Sequence, residues 1–287
     1  MGGVGALARA ALPSVPGITL LPGVRKDPAA GRAERLARRR SDVRIDAEAA
    51  GRYAELCGFA PRDAVPLTYP HLLGFDLQLG LMAEPAFPAP ALGLVHVENR
   101  ITASRRLHPG EVVDVEVSVG PARPHRSGRV FDFVTTVCDA ESGEVAWEES
   151  SSYLHRSNGQ PDAPGLLDLP QVPPTGTVWK LPADLGRRYA SVAGDWNPIH
   201  VHPWTAKAFG FPRAIAHGMW TMARCVASFE NRLPPACTVE VGFRKPVLLP
   251  GSVAFGSRLR PDGGLDFSLS RPGSDTWHLL GSAYPGA

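Results

Sequence analysis

The sequence predicts an α+β protein built from two similar halves. Three observations support this prediction. Short strings of residues recur in the same order about 140 positions apart, as an internal duplication would leave them. Several stretches are rich in helix-forming residues and carry apolar groups at three- and four-residue spacing. Other stretches alternate apolar with polar residues, which is typical of antiparallel strands with one wet face. Helices combined with antiparallel sheet define the α+β class.

The internal repeat includes both helical and strand-like segments. The recurring strings are residues 51–58 and 187–194, residues 95–100 and 239–244, and the Pro-Gly pairs at 109–110 and 250–251. Tyr53 and Tyr189 occupy equivalent places in the first pair, 136 positions apart. Because the strings keep one order in both halves, duplication explains them better than chance similarity does.

The predicted elements follow the same plan in each half. Helices are expected near residues 46–57 and 69–84, and again near 183–193 and 217–231. Strands are expected near 93–102, 111–121, 128–140, 144–155, 237–247, 252–260, 264–271 and 276–284. The clearest strand has valines at every second position from Val113 to Val119. If the two half-sheets pair edge to edge, each protects the open edge of the other.

Chain length and composition fit two domains. The 287 residues exceed the usual size of one domain and suit two domains of roughly 100–150 residues each. We assign residues 1–158 to a first domain with a basic arm at its start. Residues 159–176 are rich in proline and glycine and are predicted to be a linker, and residues 177–287 form a second domain.

The charge pattern argues against nucleic acid as a partner. A formal net charge of +2 gives no overall field strong enough to attract it. Only residues 25–40 are locally basic, and this segment is either a solvated surface arm or a contact for an acidic carrier protein. Further basic residues are either contacts for carrier phosphates or a solvated face; these are Arg187, Arg188, Lys207, Arg213, Arg244 and Lys245.

Cysteine usage predicts a cytoplasmic protein. The four cysteines form no Cys-x-x-Cys pair and lie in apolar or helical stretches, which is typical of reduced thiols. The first residues lack a basic start, and Arg9 interrupts their short apolar run, so we expect no secretory signal. No segment approaches the roughly 20 apolar residues of a membrane span.

A carboxylate and an imidazole, Asp195 and His200, lie five residues apart. Gly194 lets the backbone turn, while Pro198 fixes its own φ and pushes Asn197 towards extended geometry, so this segment cannot be a continuous helix. A bent loop can aim two side chains at one atom, as general acid and base catalysis requires. We therefore predict that Asp195 and His200 are the catalytic residues.

The helix predicted to begin near Gly218 supplies a second part of the site. An amide N–H in the first helical turn has no helical partner, and the helix dipole lies behind it. Such a group suits a carbonyl oxygen that becomes negative in a transition state. Asn197 is expected to brace the loop through backbone hydrogen bonds. His217 is either a core histidine satisfied by the backbone or a residue that helps to shape the carbonyl site.

No metal site is predicted. His200 and His202 form a His-x-His string beside Asp195, but no further ligand follows at a recognisable spacing. His202 is interpreted as exposed or structural, and His71 as structural.

The residues from Tyr189 to Met219 resemble the signature of the MaoC-like, or type 2, (R)-specific enoyl-thioester hydratases. The matching residues are Tyr189, Gly194, Asp195, Asn197, Pro198, His200, Ala206, Gly210, His217 and Gly218. The stretch from Leu67 to Phe75 also resembles the first half of the two-hot-dog actinobacterial (3R)-hydroxyacyl-thioester dehydratases. The resemblance implies a double hot dog, in which an antiparallel sheet wraps a long helix in each half.

The resemblance also implies a reaction, the reversible addition of water to trans-2-enoyl thioesters to give (3R)-3-hydroxyacyl thioesters in fatty-acid or related lipid metabolism. In dehydration, His200 is expected to take the carbon-bound proton and Asp195 to protonate the departing hydroxyl. No cofactor is expected beyond the coenzyme A or phosphopantetheine that carries the substrate. An acyl carrier protein and a second copy of the chain are open as partners. An acyl-thioesterase and a non-catalytic acyl-thioester-binding subunit are the alternatives.

The first half lacks the predicted catalytic pair. At an offset of 136 positions, the counterparts of Asp195 and His200 are Phe59 and Ala64. The first half therefore cannot do the same acid and base chemistry. In the subgroup that the chain resembles, this degenerate half makes room for longer acyl chains.

Overall fold

The computed structural model of the chain describes residues 33–91 and 93–286. Its helices are α1 (Ala47–Cys57), α2 (His71–Ala83), α3 (Leu185–Ala193), α4 (Pro198–Val201), α5 (Pro203–Ala208) and α6 (Gly218–Ala227), with 3-10 turns at Ala33–Arg35 and Glu230–Arg232. Its strands are β1 (Ala37–Arg44), β2 (Leu94–Ala103), β3 (Val112–Val119), β4 (Arg123–His125), β5 (Gly128–Asp139), β6 (Val145–Arg156), β7 (Thr177–Leu181), β8 (Cys237–Phe243), β9 (Gly251–Leu259), β10 (Leu265–Ser270) and β11 (Trp277–Pro285).

Within the described residues, the strands form one antiparallel sheet that runs through both halves. Its order is β1-β3-β5-β6-β2-β8-β11-β10-β9-β7, and β4 pairs with β5. The halves meet where β2 pairs with β8, from Glu98 opposite Gly242 to Ala103 opposite Cys237. The two predicted half-sheets are thus parts of one sheet, and their pairing removes an open edge from each. The predicted α+β class is confirmed.

The long helices of the two halves pack against the sheet. Helix α2 contacts β3 and β5, and α6 contacts β10. Gly74 permits the close approach of α2, because a Cβ at this position would lie 2.6 Å from the Thr135 side chain. Helices α1 and α3 pack on each other, so that Tyr53 and Tyr189, the equivalent tyrosines of the repeat, meet with ring centroids 6.3 Å apart. Across the described ranges, no helix is long and apolar enough to cross a membrane.

The predicted elements are present, with ends that differ by up to four residues. The largest differences are at the helix predicted for residues 217–231, which ends at Ala227, and at the strand predicted for residues 237–247, which ends at Phe243. Strands β1, β4 and β7 and helices α4 and α5 were not predicted from the sequence. These elements are short or carry no periodic apolar pattern, so neither helical nor strand periodicity reveals them.

The segment predicted to be a basic arm is in part an edge strand, β1. Three consecutive arginines of β1 form ion pairs, Arg38 with Glu84, Arg39 with Asp114 and Arg40 with Asp76. Charged side chains are common on edge strands because they oppose pairing with another chain. Residues 25–32 of the basic segment lie outside the described residues.

The end of the predicted linker, residues 159–176, lies against the sheet of the second half. Val172 is buried, and its N–H donates to Ser268 Oγ at 3.0 Å. A Cβ on Gly256 would lie 2.2 Å from the Pro173 carbonyl oxygen. Glycine at position 256 therefore lets this segment cross β9 at close range.

A buried carboxylate of the second half binds the segment of the first half that leads into α2. Glu230 of the second half is 2% exposed and accepts a hydrogen bond from the Leu67 N–H at 2.7 Å. Arg62 and Arg106 of the first half lie 3.1 and 3.6 Å from its carboxylate. The Leu67 carbonyl accepts from Trp147 Nε1 at 2.9 Å. Both backbone polar groups of Leu67 are thus occupied, which anchors the segment that leads into α2.

Replacing Glu230 with alanine is expected to lower the free energy of unfolding by about 3 kcal/mol, because the Leu67 N–H loses its acceptor and two arginines lose the carboxylate of their ion pairs. Burial raises the pKa of Glu230 despite its partners, so Glu230→Gln is expected to cost less than Glu230→Ala. Urea denaturation measures both. The control is Glu48→Ala, since Glu48 is 84% exposed and pairs with Arg52 on α1, and its loss is expected to cost below about 0.5 kcal/mol. Equal losses for the two alanine variants would contradict the anchoring role.

Candidate active site

A cavity of about 1000 Å³ has walls from both halves of the molecule. The first half contributes residues of α2, β2 and β6, and the second contributes the loop after α3, the start of α6 and the end of β8. The residues that the sequence analysis assigned to the site all line this cavity; they are Asp195, Asn197, His200, His217 and Gly218.

Local chain geometry shapes the loop that carries Asp195. Gly194 ends α3 in the left-handed conformation, with φ of 76°. Asn197 then caps α4: its side-chain oxygen accepts from the Ile199 N–H at 3.4 Å, and Pro198 follows in the first turn. The Asp195 carboxylate accepts from the Asn197 N–H at 3.1 Å. The chain therefore bends between the two predicted catalytic residues.

His200 is held at one ring nitrogen, and the other meets no hydrogen-bond partner among the described residues. Its Nδ1 lies 2.8 Å from the Ile215 carbonyl oxygen. Because a carbonyl only accepts hydrogen bonds, Nδ1 carries the hydrogen, and the lone pair of the neutral ring is on Nε2. Burial lowers the pKa of His200, although the charge of Asp195 acts in the opposite direction. His200 is therefore a neutral imidazole near pH 7, able to accept a proton at Nε2.

His217 connects the two catalytic candidates. Its Nε2 donates to the backbone carbonyl of Asp195 at 3.0 Å, and its ring stacks on that of His200 with centroids 3.8 Å apart. Burial and the neighbouring His200 lower the pKa of His217 to about 3. Within the described chain, its Nδ1 is buried without a hydrogen-bond partner, as is the hydroxyl of the adjacent Tyr189. His217 is thus satisfied by the backbone at one nitrogen and lines the site with the rest of its ring.

Gly218 is the first residue of α6. Its N–H belongs to the first helical turn, where the helix supplies no acceptor and the helix dipole favours negative charge. A Cβ here would lie 3.2 Å from the ring of Phe243. Glycine at position 218 therefore lets the Phe243 ring, at the end of β8, approach the start of α6.

Asp195, His200 and His217 are also potential metal ligands, since their ligand atoms lie within 4.8 Å of one another. Sequence spacing did not reveal His217 as a third member of this set. The lone pair of an imidazole lies in the ring plane. Because the His200 and His217 rings are stacked with only 28° between their planes, their lone pairs do not converge as a tetrahedral zinc site requires. The geometry favours proton transfer over metal binding.

The first half places its own ionisable groups against the same cavity. His71, which begins α2 and lines the cavity, donates from Nδ1 to the fully buried Glu149 carboxylate at 2.8 Å. The Asn99 amide donates to the other carboxylate oxygen at 2.6 Å. Desolvation opposes the charge on His71, but Glu149 outweighs it and raises the pKa of His71, and the pairing lowers the pKa of Glu149. Local sequence patterns do not reveal this network, because 78 positions separate His71 from Glu149.

Comparison with known proteins identifies the family. Residues 171–258 match the sequence profile of the MaoC like domain. The 3-hydroxyacyl-thioester dehydratase X of Mycobacterium tuberculosis (strain ATCC 25618 / H37Rv) is 38% identical over 242 residues, which span 83% of this chain and 85% of the relative. This chain belongs to the MaoC-like dehydratase family.

Solved structures agree with this membership. The crystal structure of HtdX of M. tuberculosis matches with a TM-score of 0.77 at 36% identity, covering 87% of this chain and 100% of HtdX. Another M. tuberculosis protein, described as having a double hotdog fold, matches with a TM-score of 0.58 at 12% identity over 87% of this chain and 96% of its own; this likeness concerns the fold alone. The predicted double hot dog is confirmed. Among the relatives is also the enoyl-CoA hydratase ChsH3 of M. tuberculosis, 26% identical over 170 residues, 50% of this chain and 56% of its own.

We expect the purified dehydratase to contain no stoichiometric zinc, because the stacked imidazoles do not point at a common ion. Elemental analysis of protein purified without any chelator measures the zinc content per chain directly. One zinc per chain, lost together with activity on dialysis against a chelator and restored by zinc, would contradict the prediction.

Proposed function

We propose that this MaoC-like family member catalyses the reversible addition of water to trans-2-enoyl thioesters and forms (3R)-3-hydroxyacyl thioesters. The observation that carries the proposal is the convergence of the Asp195 carboxylate, the free Nε2 of His200 and the start of α6 at Gly218 on one cavity. Elimination of water beside a thioester needs a base, an acid and a donor for the carbonyl oxygen. The relatives named as a 3-hydroxyacyl-thioester dehydratase and an enoyl-CoA hydratase support this reaction.

In the dehydration direction, His200 Nε2 takes the proton from the carbon next to the thioester carbonyl. The electron pair of that C–H bond forms the new double bond, and the thioester oxygen gains negative charge that the Gly218 N–H stabilises. Protonated Asp195 gives its proton to the hydroxyl on the next carbon, which leaves as water with the electrons of the C–O bond. Exchange with solvent then returns both side chains to their starting states. Hydration reverses each step.

His217 has a positioning role in this scheme. It holds the Asp195 backbone by a hydrogen bond and supports the His200 ring by stacking. Because its pKa of about 3 keeps the ring uncharged, it does not place a cation between the carboxylate and the base. Asn197 and the loop hydrogen bonds limit the freedom of Asp195 in the same way.

The carrier of the acyl group is proposed to be coenzyme A or the phosphopantetheine arm of an acyl carrier protein. Of the basic residues considered for phosphate binding, Arg244 and Lys245 line the cavity, and both side-chain types bind phosphate groups. Cytoplasmic localisation remains a proposal from the four cysteines, all of which are free thiols in the structure. A homodimer and a role in fatty-acid or related lipid metabolism remain predictions.

One assay separates the proposed reaction from the two alternatives. Hydration of crotonyl-CoA removes the ultraviolet absorbance of the conjugated enoyl group without release of thiol. A thioesterase would release free coenzyme A and leave the enoyl chromophore unchanged. A non-catalytic acyl-binding subunit would bind the thioester tightly with neither change.

Asp195→Asn and His200→Gln are each expected to lower kcat/KM for crotonyl-CoA hydration by about 10²–10⁴-fold, because each keeps the side-chain size but removes the proton-transfer group. The ultraviolet assay measures the loss. The matched control is His202→Gln: His202 is exposed, lies two residues from His200 and caps α5 through Nδ1. The control is expected to keep most of its activity. Full activity in either catalytic variant, or an equal loss in the control, would rule out the assigned roles.

The acid side of the kcat/KM profile tests the assignment of His200 as the base. Protonation removes its lone pair, and burial lowers its pKa below the ordinary 6.5, so activity is expected to persist at pH 6.5 and to fall only at lower pH. Dehydration is the direction in which His200 is the base, so the profile is taken from dehydration rates at subsaturating (3R)-3-hydroxybutyryl-CoA, with circular dichroism at each pH to confirm folding. An acid limb centred above pH 7 in folded protein would contradict a neutral His200 base.

A further inference from the structure

Three side chains of the first half form a polar wall in the cavity, which we define as His71, His96 and Tyr153. They come from α2, β2 and β6, and none belongs to the predicted catalytic pair. His96 and Tyr153 are cross-strand neighbours whose rings stack with centroids 4.5 Å apart. A half that only widened the pocket for a longer alkyl chain would need apolar side chains here.

Each member of the polar wall has hydrogen-bonding capacity left over. The Tyr153 hydroxyl accepts from Gln78 Nε2 at 2.8 Å, and in the described chain its own hydrogen meets no acceptor. His71 uses Nδ1 for Glu149, and the raised pKa of His71 favours a second hydrogen on Nε2. His96 Nε2 is buried without a hydrogen-bond partner among the described residues.

The polar wall lies close to the reacting groups. The ring of Phe243 packs against His96, with centroids 4.9 Å apart, and also rests on Gly218. The charge of Asp195 contributes to raising the pKa of His71 and of Tyr153. If the thioester of a substrate contacts Gly218, its acyl chain therefore reaches the polar wall a few carbons beyond the two carbons that react.

A plain alkyl chain in this position would displace water from the polar wall and leave its donors and acceptor unpaired, which is costly for buried polar groups. A chain oxygen would instead accept from the Tyr153 hydroxyl or His71, and a hydroxyl could also donate to His96. We propose that the polar wall selects acyl thioesters that carry a hydroxyl or keto oxygen a few carbons beyond the second and third carbons, where water is added or removed. This inference rests on the proposed function.

Binding of saturated thioesters tests this selection without turnover. The probes are octanoyl-CoA and its hydroxy and oxo derivatives with the oxygen at the fifth, sixth or seventh carbon, titrated by calorimetry into the full chain. At least one oxygenated probe is expected to bind about tenfold more tightly than octanoyl-CoA. This is the effect of one well-placed hydrogen bond, because the buried donor is then not left without an acceptor. The hydroxy and oxo series show whether the oxygen must also donate.

Tyr153→Phe removes one oxygen atom from the polar wall and is expected to reduce the tenfold preference to about threefold or less. His71→Gln is a second variant of the polar wall, in which the glutamine amide keeps a hydrogen-bond donor for Glu149. The matched control is Tyr284→Phe, since Tyr284 lies on β11 beside Arg100 and Arg260 and does not line the cavity. This control is expected to keep the full preference. Equal affinities for all probes in the unmodified protein, or a preference that survives both wall variants, would overturn the inference.

The matching trans-2-enoyl probes keep this inference separate from the proposed function. If the enoyl thioesters are hydrated at equal rates with and without the oxygen and the saturated probes bind equally, the inference fails and the reaction stands. If the saturated probes show the preference and none of the enoyl thioesters is hydrated, the proposed reaction fails and the binding preference stands.

Discussion

The pairing of β2 with β8 is the contact on which the arrangement of the molecule depends. Its antiparallel register, from Glu98 opposite Gly242 to Ala103 opposite Cys237, turns two half-sheets into one. Each half thereby loses an open strand edge, which otherwise invites pairing with another chain. The same register sets β2 side chains beside those of β8, so that one cavity is walled by both halves. Neither half alone contains the complete cavity.

The two halves contribute different chemistry to that cavity. In the second half, burial keeps His200 and His217 uncharged, and each donates one hydrogen bond to a backbone carbonyl. In the first half, His71 and Glu149 are a buried pair whose charged forms stabilise each other. Burial of an ionisable group is tolerated in both cases because a specific partner compensates it. The neutral His200 suits the proposed proton transfer with Asp195, and the charged His71–Glu149 pair provides a fixed hydrogen-bond donor.

Duplication of a fold does not require duplication of its active site. The equivalent tyrosines Tyr53 and Tyr189 still meet between α1 and α3, while the positions equivalent to the proposed catalytic pair, Phe59 and Ala64, hold no ionisable group. In both halves a first strand, the main helices and then the remaining sheet strands follow one another in the same order along the chain. The two halves line the cavity with different side chains, His71, His96 and Tyr153 in the first and Asp195, His200 and His217 in the second.

The sequence by itself determined the repeat, the fold class, most helix and strand positions, and the bent loop that carries Asp195 and His200. These features depend on interactions within a few residues, such as apolar periodicity and the backbone restrictions of Gly194 and Pro198. Only the tertiary structure decided that His217, 22 positions from Asp195, stacks on the imidazole of His200. It also decided that β1 is an edge strand and that distant polar side chains of the first half line the same cavity. Such contacts depend on sheet register and on the packing of distant segments, which local patterns of residues do not encode.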